Sequence, residues 1–454
     1  HTARETTGSM GTIIRLAVAT AVLLGGLVAI GVIGLVAGEV VPDTWVADEL
    51  LEARRDGLLD ERGQTTSRMG TIRDQHTECV ALSVGLGEAS DAGFVETLAE
   101  SPHLGPCSRL VPALDGYAVS GALPEGSTYL RYWHGTSGPF RWLVATVGVG
   151  GLRLLSFAVL LSMAAILSRQ VTRLAGWPAG VGLVLPLALT SDFAELLGVA
   201  HHSTAMAAAL FGASLTLTSV QRRPTPERAW LVTVVAGAVF AYLDLLTHVP
   251  GAWILPVAMV LLAARVAGRS PGNIIRLGTV ATTGWLVGYA GMWGGKWVLA
   301  ALVLGRQRVV DDVRGAIDFR LDGESPYSEQ GFGHGLDANL DHWLERPLTG
   351  TVLAVALVAV ASRLWTVGRR RASSLVDPAL AALPAALPLV WFEVLSNHSQ
   401  IHYWYTYRSL PIAMGVVLLA ALAEPDLEKA GTDVPPELEP DWRGNPGGRP
   451  GGQR

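Results

Sequence analysis

Apolar residues in this chain fall into long runs separated by short polar connections, with one large polar interval near the start. The first run, Ile13 to Val36, carries a single charge, Arg15, near its beginning. At about two dozen residues it is long enough to cross a bilayer, exceeds the apolar region of a signal peptide and lacks a cleavage site, so it predicts a retained first span. Runs at about 151 to 168, 177 to 191, 203 to 220, 229 to 246, 251 to 266, 277 to 295, 348 to 364, 376 to 395 and 409 to 423 predict nine more. Phe140 to Ser168 is too long for one span and is interrupted by Gly148, Gly150, Gly151 and Arg153. It divides into a helix lying flat at the membrane surface, about 139 to 149, and a span starting near Gly151. The expected fold is all-α: a polytopic integral membrane protein of about ten transmembrane helices, with juxtamembrane helices and a large extracytoplasmic loop after the first span.

Along the chain, residues 1–12 read as a tag remnant or a cytoplasmic lead, 13–38 as the first transmembrane helix and 39–138 as the outer loop or cap. Residues 139–423 carry the interfacial helix and the remaining spans, and 424–454, rich in Pro and Gly, read as a disordered cytoplasmic tail. Composition agrees with the membrane class, since 50% of residues are hydrophobic and only 16% are charged. The net charge of −5 hides a segregation by position. Arg169 and Arg173, then Arg222, Arg223 and Arg228, then Arg265, Arg269 and Arg276, then Arg363 and Arg369 to Arg371 all occupy alternate connections. By the positive-inside rule these face the cytoplasm, so both termini lie inside a multi-pass cell-membrane protein. The first loop, with about sixteen Asp and Glu against seven Arg, lies outside. No GxxxG repeat stands out from the general Gly and Ala richness, and the oligomeric state is not legible.

Within the loop, Asp74 and Glu78 are four residues apart and share one helix face, where two carboxylates beside a bilayer can bind a metal or take a proton. A second acidic pair, Asp48 and Glu49, leads into an ordinary amphipathic stretch. Cys79 and Cys107 are the only cysteines and both fall in this loop, so a disulfide is the economical reading. The loop ends in Tyr129 to Trp142, where Arg131, Trp133 and His134 sit among aromatics typical of the headgroup region. Other outward connections are rich in chemistry: Asp192 with His201 and His202, Asp244 with Thr247 and His248, Trp293 with Lys296, His334 in a Gly-rich stretch, and Asn397, His398, His402, Trp404 and Arg408. Ten of the eleven histidines fall on this side. A single such histidine is usually structural, but the one-sided clustering of costly groups points to a site.

This pattern resembles the GT-C class of integral membrane glycosyltransferases over about residues 13 to 423. That class has a first span, a large outer loop with an essential carboxylate, flat juxtamembrane helices and functional outer loops. The resemblance implies a glycosyltransferase using a polyprenyl-phosphate-linked sugar and a glycan, lipid or protein acceptor. It implies a carboxylate base, matched by Asp74 and Glu78 or by Asp48 and Glu49, with His134 nearby. Asp74 is preferred because the expected disulfide clamps its helix. Lys296 and Arg408, supported by Arg131, His398 and His402, are the expected donor-phosphate cations. Trp133, Trp293 and Trp404 are expected to hold sugar and lipid, alongside Asp192, His201, His202, Asp244, His334 and Asn397. No large soluble C-terminal domain of the kind found in some members is expected from the stretch after residue 423.

A divalent metal bridging carboxylate and phosphate is compatible with this chemistry but not required by it, and no other cofactor is expected. Membrane lipids are expected partners and nucleic acid is not. Two alternatives remain. A transporter or lipid flippase would place ionisable residues at mid-membrane and often show an internal repeat, and none is visible. A His-based metalloenzyme would need a third ligand at helical spacing from His201 and His202 or from His398 and His402.

Overall fold

The computed structural model describes residues 2–66, 71–87, 93–368 and 376–423. The tail expected at 424–454 lies outside the described residues. A long helix, α1 (Thr2–Glu39), leads into a small cap built from α2 (Asp43–Arg55), a two-stranded antiparallel ribbon of β1 (Gln64–Thr66) and β2 (Ile72–Asp74), α3 (Gln75–Leu82), α4 (Phe94–Glu100) and α5 (Cys107–Ser120). The chain then enters the bundle through α6 (Ser137–Ala175), α7 (Trp177–Thr190), α8 (Ala200–Val220), α9 (Pro226–Leu243), α10 (Val249–Val266) and α11 (Pro271–Leu304). Next come α12 (Arg306–Asp322) and α13 (His334–Leu344), followed by α14 (Thr349–Gly368), α15 (Val376–Ala382), α16 (Leu387–Val394), α17 (Ser396–Ile401), α18 (Tyr403–Thr406) and α19 (Ser409–Leu422).

Among the described residues, seven helical stretches are long and apolar enough to cross a membrane: Ile13–Glu39, Ser137–Ala175, Ala200–Val220, Val249–Val266, Pro271–Leu304, Thr349–Thr366 and Tyr403–Leu422. The other three expected runs are helical but fall short of that measure. α7 has 14 residues, α9 starts with Pro226, Glu227 and Arg228, which dilute its apolar character, and the run at 376–395 is divided between α15, a 3-10 turn and α16. Burial ranks the seven: the apolar window of α10 is 89% buried, against 11% for α1 and 17% for α14. α10 is therefore the centre of the bundle, while α1 and α14 present most of their apolar surface outward.

Close helix crossings are made by glycine. Gly34 and Gly38 of α1 meet Gly138 of α6 so closely that a side chain at any of the three would strike backbone or the Tyr242 ring. Gly237 of α9 abuts the backbone at Trp285 of α11, and Gly288 abuts the backbone at Val234. Gly34 with Gly38 and Gly284 with Gly288 are both GxxxG repeats, which corrects the expectation that no such signal stands out. Both repeats are used inside the chain. α6 is broken at Gly148, whose φ of 68° and ψ of 176° leave the helical region between the surface segment and the deeper one.

The cap has its own apolar core, with Val46, Leu50, Leu82, Leu110 and Leu114 packed against Phe140 and Val144 of α6. Cys79 and Cys107 are joined by a disulfide that ties α3 to α5 across 28 residues. Closing a loop of that length stabilises by about 3 to 4 kcal/mol in the chain-entropy view. Ion pairs fasten the cap to the bundle: Arg73 to Glu195 at 3.0 Å, Arg153 of α6 to Glu78 at 2.6 Å, and Arg141 to Asp43.

Candidate functional site

Asp74 is the last residue of β2 and the N-cap of α3, a position that suits Asp because its carboxylate accepts the otherwise unpaired N–H of Thr77, at 3.3 Å. The Thr77 hydroxyl donates to the same carboxylate at 2.8 Å, and His202 Nε2 to its Oδ2 at 2.8 Å. Asp74 is only 1% exposed. Burial by itself raises its pKa, but the hydrogen bonds from His202 and Thr77 outweigh that and hold the carboxyl below the usual range. One turn later on the same face, Glu78 receives Arg153 through Nε and Nη2, at 3.2 and 2.6 Å, and the Ala200 N–H at 2.7 Å. The two carboxylates thus point at the start of α8, but every visible partner of Glu78 is a fixed structural one. An ionised carboxylate only accepts, so the proton of His202 sits on Nε2, and Nδ1 of the neutral ring holds a lone pair.

Around His202 a cluster gathers from the ends of several helices. Its ring centroid lies 5.3 Å from His248 at the start of α10, 5.2 Å from Tyr405 of α18 and 5.9 Å from His201. Tyr405 stacks on His402 at 5.1 Å, and His402 lies 4.8 Å from His398 of α17. Arg408, at the start of α19, is 1% exposed and donates through Nε to the Ser191 carbonyl at 3.0 Å. His202 Nδ1, both ring nitrogens of His201 and His248, Nδ1 of His398 and His402, and Arg408 Nη1 are buried without a partner in the protein. An unpaired buried polar atom costs about 1 to 3 kcal/mol, so their concentration here makes this cluster the leading candidate to meet a polar ligand or water. Burial drives the His402 ring down to about 3, keeping it neutral. Among the described residues no three His, Cys, Asp or Glu groups are placed to hold a metal ion.

A second group of the expected residues forms a separate, largely bonded assembly. Lys296 is buried, but its Nζ donates to the Leu98 carbonyl at 3.0 Å and the Ser101 hydroxyl at 3.1 Å, fastening the end of α4. Arg131 pairs with Asp312 of α12 at 2.9 Å and lies over the Tyr129 ring. Trp133 donates to the Met292 carbonyl at 2.6 Å. His134 is buried in a left-handed conformation, φ 53°, with Nε2 3.1 Å from the Tyr129 carbonyl. Burial and the Lys296 charge push that ring well below its ordinary pKa. Trp293 packs between Tyr132, Tyr289 and Trp297.

The remaining candidates are dispersed. Asp48 is exposed on α2 and accepts from the Tyr117 hydroxyl at 3.1 Å, and Glu49 lies beside Gly148. Asp192 pairs with Arg346 at 3.2 Å. Asp244 caps the turn after α9, accepting the N–H and the hydroxyl of Thr247. His334 stands 3.5 Å from Glu329 at the surface, Asn397 bonds the Phe319 carbonyl and Ser328, and Trp404 lies 5.5 Å from His402.

Sequence reasoning passed over Tyr405, Tyr132, Arg320 and, as a site residue, His248. Arg320 of α12 donates to the Tyr132 hydroxyl at 2.7 Å. A legible signal was also missed: Trp285, Tyr289, Trp293 and Trp297 recur every fourth residue and form a continuous aromatic stripe along α11. An apolar cleft of about 240 Å³, lined by residues such as Leu261, Ile274 and Leu383, lies toward the opposite ends of α10 and α11 from the histidine cluster. No family model, curated protein or solved structure matches this chain.

Proposed function

We propose that this is a ten-span membrane protein with cytoplasmic termini that transfers a sugar from a polyprenyl-phosphate donor to an extracytoplasmic acceptor. The observation that carries the reading is the buried Asp74 to His202 pair, set beside the open Arg408 donor at helix ends. His202 Nδ1 takes the proton of an acceptor hydroxyl as its oxygen bonds to the anomeric carbon. The bond from that carbon to the phosphate oxygen breaks, and its electron pair leaves with the polyprenyl phosphate. Asp74 orients the imidazole and offsets the positive charge that develops on it. Arg408 Nη1 donates to the departing phosphate, a charge-assisted bond. Lys296, whose donors are committed to the cap, is not needed in this scheme.

Location at helix ends also favours an enzyme over a transporter, which would set its ionisable groups near the middle of the spans. The test is transfer by the full chain in liposomes, using labelled polyprenyl-phosphate sugars and a mixed envelope-glycan acceptor. Transfer should depend on His202 and fall by about 10² to 10⁴ in His202→Gln. Proton-coupled solute uptake without transfer would replace the reading with transport.

A further inference from the structure

A polar cavity of about 280 Å³ lies on the other side of α17 from the histidine cluster, lined by Glu329, Gln330, Phe332, Glu393, Ser396 and Asn397. The segment that covers it is held at defined points. Glu393 accepts the N–H groups of Gly333 and Leu336 at 2.7 and 3.0 Å, and Glu329 exchanges two backbone bonds with the Gln400 amide, at 2.8 and 2.9 Å. Gly331 and Gly333, with φ of 127° and 100°, turn the chain sharply on either side of Phe332, which is 92% exposed. An aromatic ring left exposed beside carboxylates and amides does not serve the core. α17 joins this cavity to the cluster, because Asn397 lines the one and its neighbour His398 belongs to the other.

We propose that this cavity binds a neutral carbohydrate acceptor, which rests on the glycosyl-transfer reading above. Glu329 and Gln330 offer side-chain groups to neighbouring sugar hydroxyls, and Glu393 and Asn397, though bonded to Gly333, Leu336, Phe319 and Ser328, keep a further lone pair and a second N–H for the same ligand, while Phe332 offers a face to the C–H side of the ring. The two carboxylates, with no Arg or Lys in the lining, repel anionic ligands. A bound cation is disfavoured by the lack, among the described residues, of three converging ligand groups.

The test is saturation-transfer NMR on the full chain in nanodiscs, with methyl glycosides of glucose, galactose, mannose and arabinose as probes. At least one glycoside should receive saturation at its ring C–H protons. Phe332→Ala, which removes only an exposed ring, should weaken apparent affinity by about five-fold. Glu329→Gln should weaken it as well, and Asp74→Asn should leave it intact. Silence from every glycoside, an unchanged signal in Phe332→Ala, or displacement by calcium ions would overturn the proposal. Sugar binding lost in Phe332→Ala while Asp74→Asn still transfers normally would retain this site and remove the catalytic reading. Unchanged binding in Phe332→Ala beside an inactive Asp74→Asn would do the reverse.

Discussion

Replacing Asp74 by Asn separates its structural role from the catalytic one proposed for it. As an N-cap, Asn is about as good as Asp, so the bond from the Thr77 N–H and the start of α3 should survive, with stability changed by no more than about 1 kcal/mol. As the partner of His202 it fails, because the amide carries no charge to offset the imidazolium. Its NH₂ can also donate to Nε2, which would move the ring proton to Nδ1 and remove the lone pair that the mechanism uses. Loss of that charge-assisted contact together with the wrong tautomer should lower turnover by about 10² to 10⁴, or roughly 3 to 5 kcal/mol of transition-state stabilisation. Donor affinity should hardly move. The assay is single-turnover transfer in liposomes with saturating donor, alongside a thermal melt of the same preparation. His202→Gln should cost about as much, and the double variant little more than either alone, as expected of residues acting as a unit. Asp74→Asn with turnover within about three-fold of the parent and an unshifted melt would refute the pairing as catalytic.

Glu78→Gln should destabilise the fold by about 3 to 5 kcal/mol, since it leaves Arg153 buried without its counter-charge, whereas Asp48→Asn, on an exposed side chain, should be near neutral in the same melt. Cys79→Ser should lower stability by about 3 to 4 kcal/mol and abolish the mobility difference between reduced and unreduced protein on a gel. Acid should act in two steps. Burial with the Arg131 and Arg109 charges holds His103 down to about 4, and burial with Arg346 and Arg408 holds His342 down to about 3. Both values lie below the unfolded value of about 6.5, so the unfolded chain takes the proton first. Their contribution is intact above about pH 6.5 and declines as pH falls toward the folded values, by up to about 1.4 kcal/mol per pH unit for each ring. Asp74 adds a second loss below about pH 4, because its folded value is depressed and its contribution is present only above the unfolded one. A melting temperature that stays flat from pH 6.5 to 4 would show that these rings are not held neutral by burial.

Long apolar runs were legible because hydropathy alone distinguishes them, and each of the ten is helical in the structure. Polar helices were not. The stretches 306 to 346 and 396 to 408 read as connections, yet they contain α12, α13, α17 and α18, whose apolar stripes, such as Leu336, Leu340 and Trp343 of α13 or Val309 and Val313 of α12, are too short and too diluted by polar residues to register as apolar runs. The same limit concealed the site. His201 and His202 look like linker residues before an apolar run starting at 203, but α8 begins at Ala200, so both rings sit in its first, buried turn. The shared face of Asp74 and Glu78 was readable from spacing of four. Their partners were not, since Arg153 and His202 lie 75 and 128 residues away along the chain.

Residue type therefore nominates candidates, and the state of their hydrogen bonds sorts them. Lys296 and Glu78 are as buried, charged and close to helix ends as any group in the cluster, which is why charge and position single them out equally. Each is engaged by fixed protein atoms, so recruiting it to a substrate would first release the cap from the bundle. Arg408, His202 and His248 differ from Lys296 and Glu78 in one respect: each keeps a buried donor or acceptor open. A fold stabilised chiefly by apolar helices gains nothing from leaving those atoms unpaired, and the cost recurs at each of them. Selection for stability alone would have replaced His248, which makes no hydrogen bond through either ring nitrogen, by an apolar residue of similar volume. The concentration of open atoms in one place, rather than charge, is what singles out the histidine cluster as the candidate site.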